Sequence, residues 1–292
     1  MSAGCDGVSD RTETVLEQIK SAFAVGLPPI GHGLSIREYP SPVLTANPRR
    51  GGDLRFSVPM GGWRLGEICH NLGISVGGIS TEEIKAMLKL FYAPNTCSLA
   101  SHIALEEAGA AYATVRVDFS RSEQRQPEYL AINPKGRVPA LVTDRGILTE
   151  TPAILVFIAQ SYPEAALVPL HDPFAFAQAQ AFNSYLCSTV HVAHAHRMRG
   201  ERWADDPAAI AEMKRKVPQS VGAAYDLIER DMLKGPWVMG DVYTICNPYL
   251  FTMSEWLEGD GVDLSRLPKV IDHRNRMSER PAVRKAIAEE RG

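Results

Sequence analysis

Several features that define whole classes of proteins are missing from this 292-residue chain. No apolar run approaches the roughly 18 residues that a membrane-spanning helix needs. Charge is nearly balanced, with 31 Lys and Arg against 34 Asp and Glu, so neither a nucleic acid nor a membrane surface is expected as a partner. The five cysteines are odd in number and widely spaced, with no CxxC pair, which excludes a disulfide framework.

The first residues also lack the apolar segment of a secretory signal, because Met1 to Arg11 contain acids and no hydrophobic run. Together with the cysteine pattern, this predicts a reduced, cytoplasmic compartment. The length is sufficient for two ordinary domains with a sizeable core.

Residues 1–86 differ in composition from the rest of the chain. They hold 13 of the 23 glycines, together with several prolines. One amphipathic helix is predicted from Asp10 to about Val25, where Gly26 would stop it. No hydrophobic period is sustained after it, so we expect a poorly ordered, irregular extension, with a small accessory domain as the alternative.

A regular alternation of elements begins at Met87 and ends at Tyr162. The predicted strands are Leu88–Ala93, Tyr112–Asp118, Val138–Thr143 and Gly146–Leu148. The predicted helices are Ser98–Ala108, a short one around Pro127–Ile132, and one that starts at Thr151-Pro152 as N-cap and first position and runs to Tyr162. A strand–helix–strand unit followed by a hairpin and a helix predicts a thioredoxin-like α/β domain over residues 87–162.

The remainder of the chain is helical in pattern after a linker at Pro163–Pro173. Helices are predicted near residues 174–199, 207–233, 248–259, 267–279 and 281–290. We therefore expect an all-α domain over residues 174–292. Within it, Asn247 is predicted to cap a helix whose first residue is Pro248.

Cys97 lies between the first predicted strand and its helix. The free N–H groups and the positive dipole end of that helix would stabilise a thiolate and lower the pKa of the Cys97 thiol. The alternative is a small apolar side chain that fills the strand–helix junction.

Three segments carry a resemblance to a known family. They are Lys89–Ser98, with its cysteine after the strand, Asn133–Leu141, with its Val-Pro pair, and Leu148–Ile154, with its Glu-Thr pair. In this order and spacing they resemble bacterial cytosolic glutathione transferases, above all the beta class. The resemblance continues through Tyr185–His191 and Tyr243–Trp256 and covers residues 87–290. Chains of this family normally begin near Met87, so we expect the biological start there and an over-extended reading frame upstream.

The resemblance implies a glutathione site and assigns residues to it. Cys97 would form a mixed disulfide with glutathione or lie beside its sulfur, and Ser98 or Tyr92 would donate to its thiolate in the alternative. A cis bond between Val138 and Pro139 would let the Val138 backbone pair with the cysteinyl part of glutathione.

The two charged ends of glutathione have their own candidates. Glu150 would hold the γ-glutamyl ammonium, and Thr151 with the helix N-terminus would bind the neighbouring carboxylate. Arg137 would bind the glycine carboxylate, with Lys135 and Arg125 as alternatives.

His191 matches the beta-class histidine that faces the site from the helical domain, where positive charge or N–H donation would help to hold a thiolate. The lysine that usually follows it is Val192 here, which departs from the family pattern. His191, His194 and His196 do not share one helix face, so no metal is expected.

Three functions follow as hypotheses. The first is conjugation of the glutathione thiolate to small apolar electrophiles, which would make the protein a detoxifying transferase with glutathione as co-substrate and, by resemblance, a homodimer. The second is thiol–disulfide exchange through Cys97. The third is a non-catalytic binding module on the same fold.

Overall fold

The computed structural model describes residues 43–46, 54–57 and 88–291. Strands β1 (Val43–Ala46) and β2 (Leu54–Ser57) pair antiparallel, with Val43 opposite Ser57. The sequence did not predict this pair, because neither segment shows a sustained hydrophobic alternation. The helix predicted over 10–25 and the irregular character predicted for the rest of the extension lie outside the described residues.

A four-stranded mixed sheet follows, in the order β4-β3-β5-β6. Its strands are β3 (Leu88–Tyr92), β4 (Tyr112–Arg116), β5 (Ala140–Thr143) and β6 (Gly146–Thr149). Strand β3 is parallel to β4 and antiparallel to β5, and β5 and β6 form a hairpin. This topology confirms the predicted thioredoxin-like fold.

The helices on this sheet begin close to the predicted residues. They are α1 (Ser98–Glu107), the single turn α2 (Pro127–Leu130) and α3 (Thr151–Ser161). Helix α3 starts one residue away from the predicted cap, because Glu150 is its N-cap and Thr151 already lies in the helix. Glu150 has a positive φ of 72°, which is not a helical angle, so the helix begins at the next residue.

The helical part confirms the all-α prediction for this region. Its helices are α4 (Pro173–Tyr185), α5 (His191–Ala195), α6 (Pro207–Leu227), α7 (Cys246–Ser254), α8 (Pro268–Ser278) and α9 (Pro281–Arg291). A π-helical turn, Leu186–Val190, joins α4 to α5, and a second, Ile228–Met232, extends α6. None of the helices in the described part of the chain has both the length and the apolar character required to cross a membrane.

Residues 88–291 belong to one compact unit, in which a large hydrophobic cluster includes residues of both the sheet and the helices and two smaller clusters accompany it. Helix α1 packs against α7 and α9 and so joins the sheet to the helical part. Buried His102 of α1 contacts Glu290 at 3.2 Å and Glu289 at 3.0 Å, both on α9. The division into domains at residues 163–173 stays a prediction.

The prediction that Asn247 caps its helix is wrong. Helix α7 begins at Cys246, and the Asn247 side chain is fully buried. Its Oδ1 accepts from the Val238 N–H at 2.9 Å and faces His273 Nε2 at 3.0 Å. These contacts with distant segments replace the local capping bond that the sequence suggested, and Thr244 Oγ1 accepts from the Cys246 N–H at 3.4 Å instead.

Candidate active site

One cavity of about 230 Å³ lies between the sheet end of this unit and the helices α5 and α7. It is bordered by the turn after β3, the loop before β5 and the start of α3 on one side, and by the π-turn, α5 and α7 on the other. The predicted site residues that line it are Cys97, Arg137, Val138, Pro139, Glu150, Thr151 and His191. Residues 97 and 150 therefore open onto the same space, as a single ligand spanning both would require.

Two predicted site residues, Tyr92 and Ser98, are not part of this lining. Tyr92 is buried in the core, where its ring centroid lies 5.8 Å from that of His102. The fully buried Ser98 hydroxyl is within 3.2 Å of both the N–H and the carbonyl of Ala93 and 2.7 Å from the Thr96 hydroxyl. Ser98 thus closes the turn that presents Cys97, and its hydroxyl has no contact left for a ligand.

Cys97 occupies the predicted position at the start of α1, but its electrostatics differ from the expectation. Burial raises the pKa of its thiol to about 11, against a smaller opposing effect of the Thr151 hydroxyl. The residue as a whole keeps partial exposure, yet its sulfur is enclosed and lies 3.4 Å from the Val138 carbonyl oxygen, to which it donates. Desolvation therefore outweighs the helix N-terminus, and the thiol, not the thiolate, is the resting form at neutral pH.

The loop before β5 presents a stretch of backbone to the cavity. The Val138–Pro139 bond is cis, which confirms that expectation. The Arg137 carbonyl accepts from the Tyr129 hydroxyl at 2.6 Å and from Asn133 Nδ2 at 2.7 Å, so the loop is fixed from behind. The Val138 N–H has no hydrogen-bond partner among the described residues, which leaves a donor available beside Cys97.

Gly136 makes this loop conformation possible. Its φ is +61°, and a Cβ added there would lie 3.0 Å from the Gln124 carbonyl oxygen. A glycine is therefore required both for the backbone angle and for the close approach of the loop.

The start of α3 carries one buried hydroxyl and one exposed carboxylate. Thr151 is only 4 % exposed, whereas the Glu150 side chain forms an ion pair with Lys135 Nζ. Lys135 also donates to the Thr149 hydroxyl at 2.7 Å. Lys135, an alternative candidate for the glycine carboxylate, is thus engaged at the opposite end of the site.

His191 faces the cavity because a π-turn precedes it. The wider turn Leu186–Val190 interrupts the single helix predicted over residues 174–199, and Cys187 and His191 both line the cavity. Burial lowers the pKa of His191 to about 4, and the charges of His194, Arg199, Arg202 and Arg137 act in the same direction. The expected positive charge is therefore absent at neutral pH, and only N–H donation remains for this imidazole.

The helical wall contains a group that sequence reasoning missed. His194 stacks on Trp256 with a centroid distance of 4.2 Å, and its Nδ1 lies 2.8 Å from Asp260, a buried carboxylate that Arg197 also contacts at 3.3 Å. Arg197 lies so close to Gly259 that any side chain there would collide with its guanidinium. No local pattern signals this group, because His194 and Asp260 are 66 residues apart.

Three further residues of this wall were also missed: Arg199, Arg202 and Trp203. They follow α5 in the turn that contains the short 3₁₀ segment Gly200–Arg202. The sequence does carry a signal, since residues 197–203 combine three arginines with a tryptophan directly after the histidine-rich helix.

The chain is similar in sequence to a known protein family. Residues 86–160 match the protein-family model of the glutathione S-transferase N-terminal domain. Glutathione S-transferase GstA from Escherichia coli O157:H7 is 32% identical over 205 residues, which is 70% of this chain and 98% of that protein.

Solved structures of glutathione transferases are also similar to this chain. A glutathione transferase homologue from Sulfitobacter, with bound glutathione, is 47% identical and has a TM-score of 0.68 over 70% of this chain and 98% of its own. A beta-class glutathione S-transferase from Sphingomonas chungbukensis is 33% identical, with a TM-score of 0.61 over 69% of this chain and 98% of its own.

The relatives differ among themselves in what they are named for. They include a maleylacetoacetate isomerase from Pseudomonas aeruginosa, 30% identical over 68% of this chain and 95% of that protein. They also include the disulfide-bond oxidoreductase YfcG from Escherichia coli, 26% identical over 69% of this chain and 94% of that protein. These names span several activities and classes, but the match to GstA extends over almost the whole of that protein, and this chain belongs to the glutathione S-transferase family.

Proposed function

We propose that this protein is a beta-class-like glutathione transferase, which joins the glutathione thiolate to an electrophile with a largely apolar body. The observation that carries the proposal is the arrangement of Cys97, Val138, Glu150 and His191 around one cavity. Support also comes from the Sulfitobacter relative, whose structure contains glutathione. The cysteine after β3 favours the beta class.

Each part of glutathione has a counterpart in this cavity. The cysteinyl backbone would pair with Val138, whose N–H is unpaired among the described residues and whose carbonyl Cys97 Sγ contacts at 3.4 Å. The γ-glutamyl end would lie at Glu150 and Thr151, where a carboxylate meets the ammonium and the helix start meets the carboxylate. Arg137, which is exposed and free of side-chain partners among the described residues, would take the glycine carboxylate.

The reaction needs the thiol of glutathione to ionise. Its reference pKa of about 8.5 leaves only a few per cent thiolate at pH 7, and a lowering by about two units, worth roughly 2.7 kcal/mol, makes the anion dominant. The positive dipole end of α1 and the N–H of a neutral His191 imidazole would stabilise it, beside Cys97, whose S–H donates to the Val138 carbonyl. The thiolate then attacks the electrophile, and the leaving group departs or the product is an adduct.

Calorimetric titration of the full chain with glutathione, followed by turnover of 1-chloro-2,4-dinitrobenzene, tests this proposal. Replacing Arg137 with Gln should raise the KM for glutathione several-fold, because a charge-assisted contact to its carboxylate is lost. Arg145→Gln in the exposed β5–β6 turn is the matched control and should leave KM unchanged. A folded protein that neither binds glutathione nor is retained on immobilised glutathione would contradict the proposal and favour a non-catalytic binding module.

A second candidate activity is thiol–disulfide exchange, since two thiols, Cys97 and Cys187, line the same cavity. The Cys97 thiolate would attack a glutathionylated substrate, release the substrate thiolate and retain glutathione as a mixed disulfide. Free glutathione would then displace Cys97 and leave as glutathione disulfide. Burial raises the pKa of both thiols, so this route needs a proton acceptor at the cavity and is the less favoured of the two.

Replacing Cys97 with Ala separates the two activities. Conjugation should survive in part, because the nucleophile belongs to glutathione, whereas reduction of a glutathionylated peptide should vanish. Complete loss of both would assign Cys97 to conjugation itself.

We further propose a homodimer and a cytoplasmic location, both on family grounds. Sedimentation velocity of the full chain tests the first, and a single species at the mass of one chain would contradict it. Fractionation of the native cells tests the second, and recovery of the protein outside the cytoplasmic fraction would contradict that.

A further inference from the structure

Three arginines line the candidate cavity from two directions. Arg137 belongs to the loop before β5, whereas Arg199 and Arg202 belong to the turn after α5. We call them the cavity arginines. Arg199 is half-buried and the other two are exposed, so their guanidinium groups are available to a ligand.

The cavity arginines have no partners in the described part of the chain. No carboxylate of those residues lies within ion-pair distance of any of them, and none of their side chains makes a hydrogen bond there. Arginines elsewhere in the helical part behave differently, since Arg197 pairs with Asp260, Arg274 with Glu258 and Arg280 with Glu107. The lack of an acidic partner among the described residues is therefore particular to the cavity arginines and does not hold for the arginines elsewhere in the helical part.

The cavity carries a positive field as a result. Burial lowers the pKa of Arg202, and the charges of Arg199 and Arg137 lower it further, while neighbouring Glu201 opposes them. Glu150, an acid of the cavity lining, is already paired with Lys135 at the far side. Like charges held together without a counter-ion favour the binding of an anion.

Glutathione alone does not account for this charge. Under the proposed function its glycine carboxylate is matched by Arg137, and its other carboxylate by Thr151 and the start of α3. Arg199 and Arg202 remain, and they lie on the helical wall, where the electrophile would bind. Trp203 lines the cavity directly beside Arg202 and offers a flat apolar surface.

We propose that the electrophilic substrate is an organic anion: a flat, unsaturated or aromatic body that carries a carboxylate or sulfonate, held by Arg199 and Arg202. The two arginines act as specificity-determining residues, because a bidentate guanidinium contact distinguishes a carboxylate from its ester. This inference rests on the proposed function and adds the substrate class to it.

Binding of two glutathione conjugates tests the proposal without any need for catalysis. S-(4-carboxybenzyl)glutathione and its methyl ester on the benzoate group share the glutathione part and differ only in the added charge. Calorimetry on the full chain should show the acid binding about tenfold more tightly than the ester, the effect of one charge-assisted contact at a partly exposed site. The double variant Arg199→Gln/Arg202→Gln should bring the ratio close to one by weakening only the acid, and Arg145→Gln should preserve it.

Kinetics provide the second measurement. The enzyme should favour 4-chloro-3,5-dinitrobenzoate over its methyl ester by about tenfold in kcat/KM, after each rate is divided by the spontaneous rate with glutathione. The preference should fall as salt rises from about 0.05 to about 0.5 M, because exposed charges are screened.

Three results of these experiments would contradict the proposal, and each has a different meaning. Equal affinities for acid and ester in the unchanged protein would overturn the anion proposal and leave the proposed function intact. Equal weakening of both conjugates in the double variant would assign the two arginines to glutathione and also overturn it. If neither conjugate binds to the folded protein, the proposed function fails and this inference fails with it.

Discussion

The two walls of the cavity are built in different ways. On the sheet side, the turn at Ser98 and the loop at Asn133–Arg137 are fixed by hydrogen bonds between residues two to eight positions apart. On the helical side, His194 is oriented by Asp260, which is 66 residues away. The first wall is therefore encoded locally and the second by the tertiary fold, which predicts unequal consequences when each is disturbed.

Cys97 is the exception within the first wall, and the largest effect is expected there. Its environment is set by Val138, 41 residues away, and burial raises the pKa of the Cys97 thiol to about 11. At a pH of about 7.5, alkylation by iodoacetamide should be more than about a hundredfold slower than that of free cysteine, whose pKa is about 8.5, because only the thiolate reacts. Peptide mass spectrometry after timed quenching measures the rate at this residue.

The same protein unfolded in concentrated urea is the control, and Cys97 should react there at the rate of free cysteine. A native rate constant at or above the free value would show that the start of α1 governs this thiol after all.

Asp260→Asn tests the second wall and should destabilise the fold more than a substitution of His273 or Ser98. The buried carboxylate holds His194 and Arg197, and its removal leaves the Arg197 guanidinium without its partner against Gly259. We expect a loss of about 3 kcal/mol in the free energy of unfolding. Urea denaturation checks this, with Asp205→Asn, an exposed aspartate, as a control that should change the free energy by less than about 0.5 kcal/mol.

His273 extends the comparison to pH. Burial lowers its pKa to about 4, and its Nε2–H lies 3.0 Å from the Asn247 Oδ1 acceptor. The unfolded chain takes up this proton near pH 6.5, whereas the folded chain does so only near pH 4, so acidification favours unfolding. Between a pH of about 7.5 and a pH of about 5 the folded state should lose about 2 kcal/mol through this residue.

Unfolding curves of His273→Gln at both pH values should show a shallower pH dependence than those of the unchanged protein. His171→Gln removes an exposed histidine and should preserve the original slope. Identical slopes for all three proteins would contradict the assignment.

Ser98→Ala should have the smallest effect. Only short-range contacts to Ala93 and Thr96 are lost, so we expect a destabilisation of about 1 kcal/mol. Activity per folded molecule should remain, because the Ser98 hydroxyl does not line the cavity. A loss of turnover without a loss of stability would restore the predicted role of Ser98 at the glutathione sulfur.

Sequence reasoning recovered the parts of this molecule that local chemistry decides. An apolar and aromatic run predicted β3, in which Leu88 and Leu90 are buried and Lys89 is exposed, and a proline near the first position predicted the start of α3. The resemblance supplied the Val138–Pro139 cis bond. All of these depend on neighbours in the chain or on an ordered set of short motifs.

The features that could not be predicted depend on contacts between residues that are far apart in the sequence. The pKa of Cys97 reflects burial by segments far along the chain, and that of His191 reflects burial together with nearby positive charges. Asn247 favours a cap on local grounds, but Val238 and His273 use its oxygen instead. Such contacts become visible only when the helices are packed.

The π-turn at Leu186–Val190 decides where the helical wall can change in length. An i→i+5 turn accommodates one residue more than a regular helix would, and each residue of an α-helix turns the following ones by about 100°. Because the wider turn absorbs the extra residue, deleting one residue within it would restore an ordinary helix and leave His191 and His194 facing Trp256. A deletion within the regular helix α5 has no such turn to absorb it and would rotate the residues that follow by about 100°. The helical wall therefore tolerates a change of one residue at the π-turn that it would not tolerate one turn later.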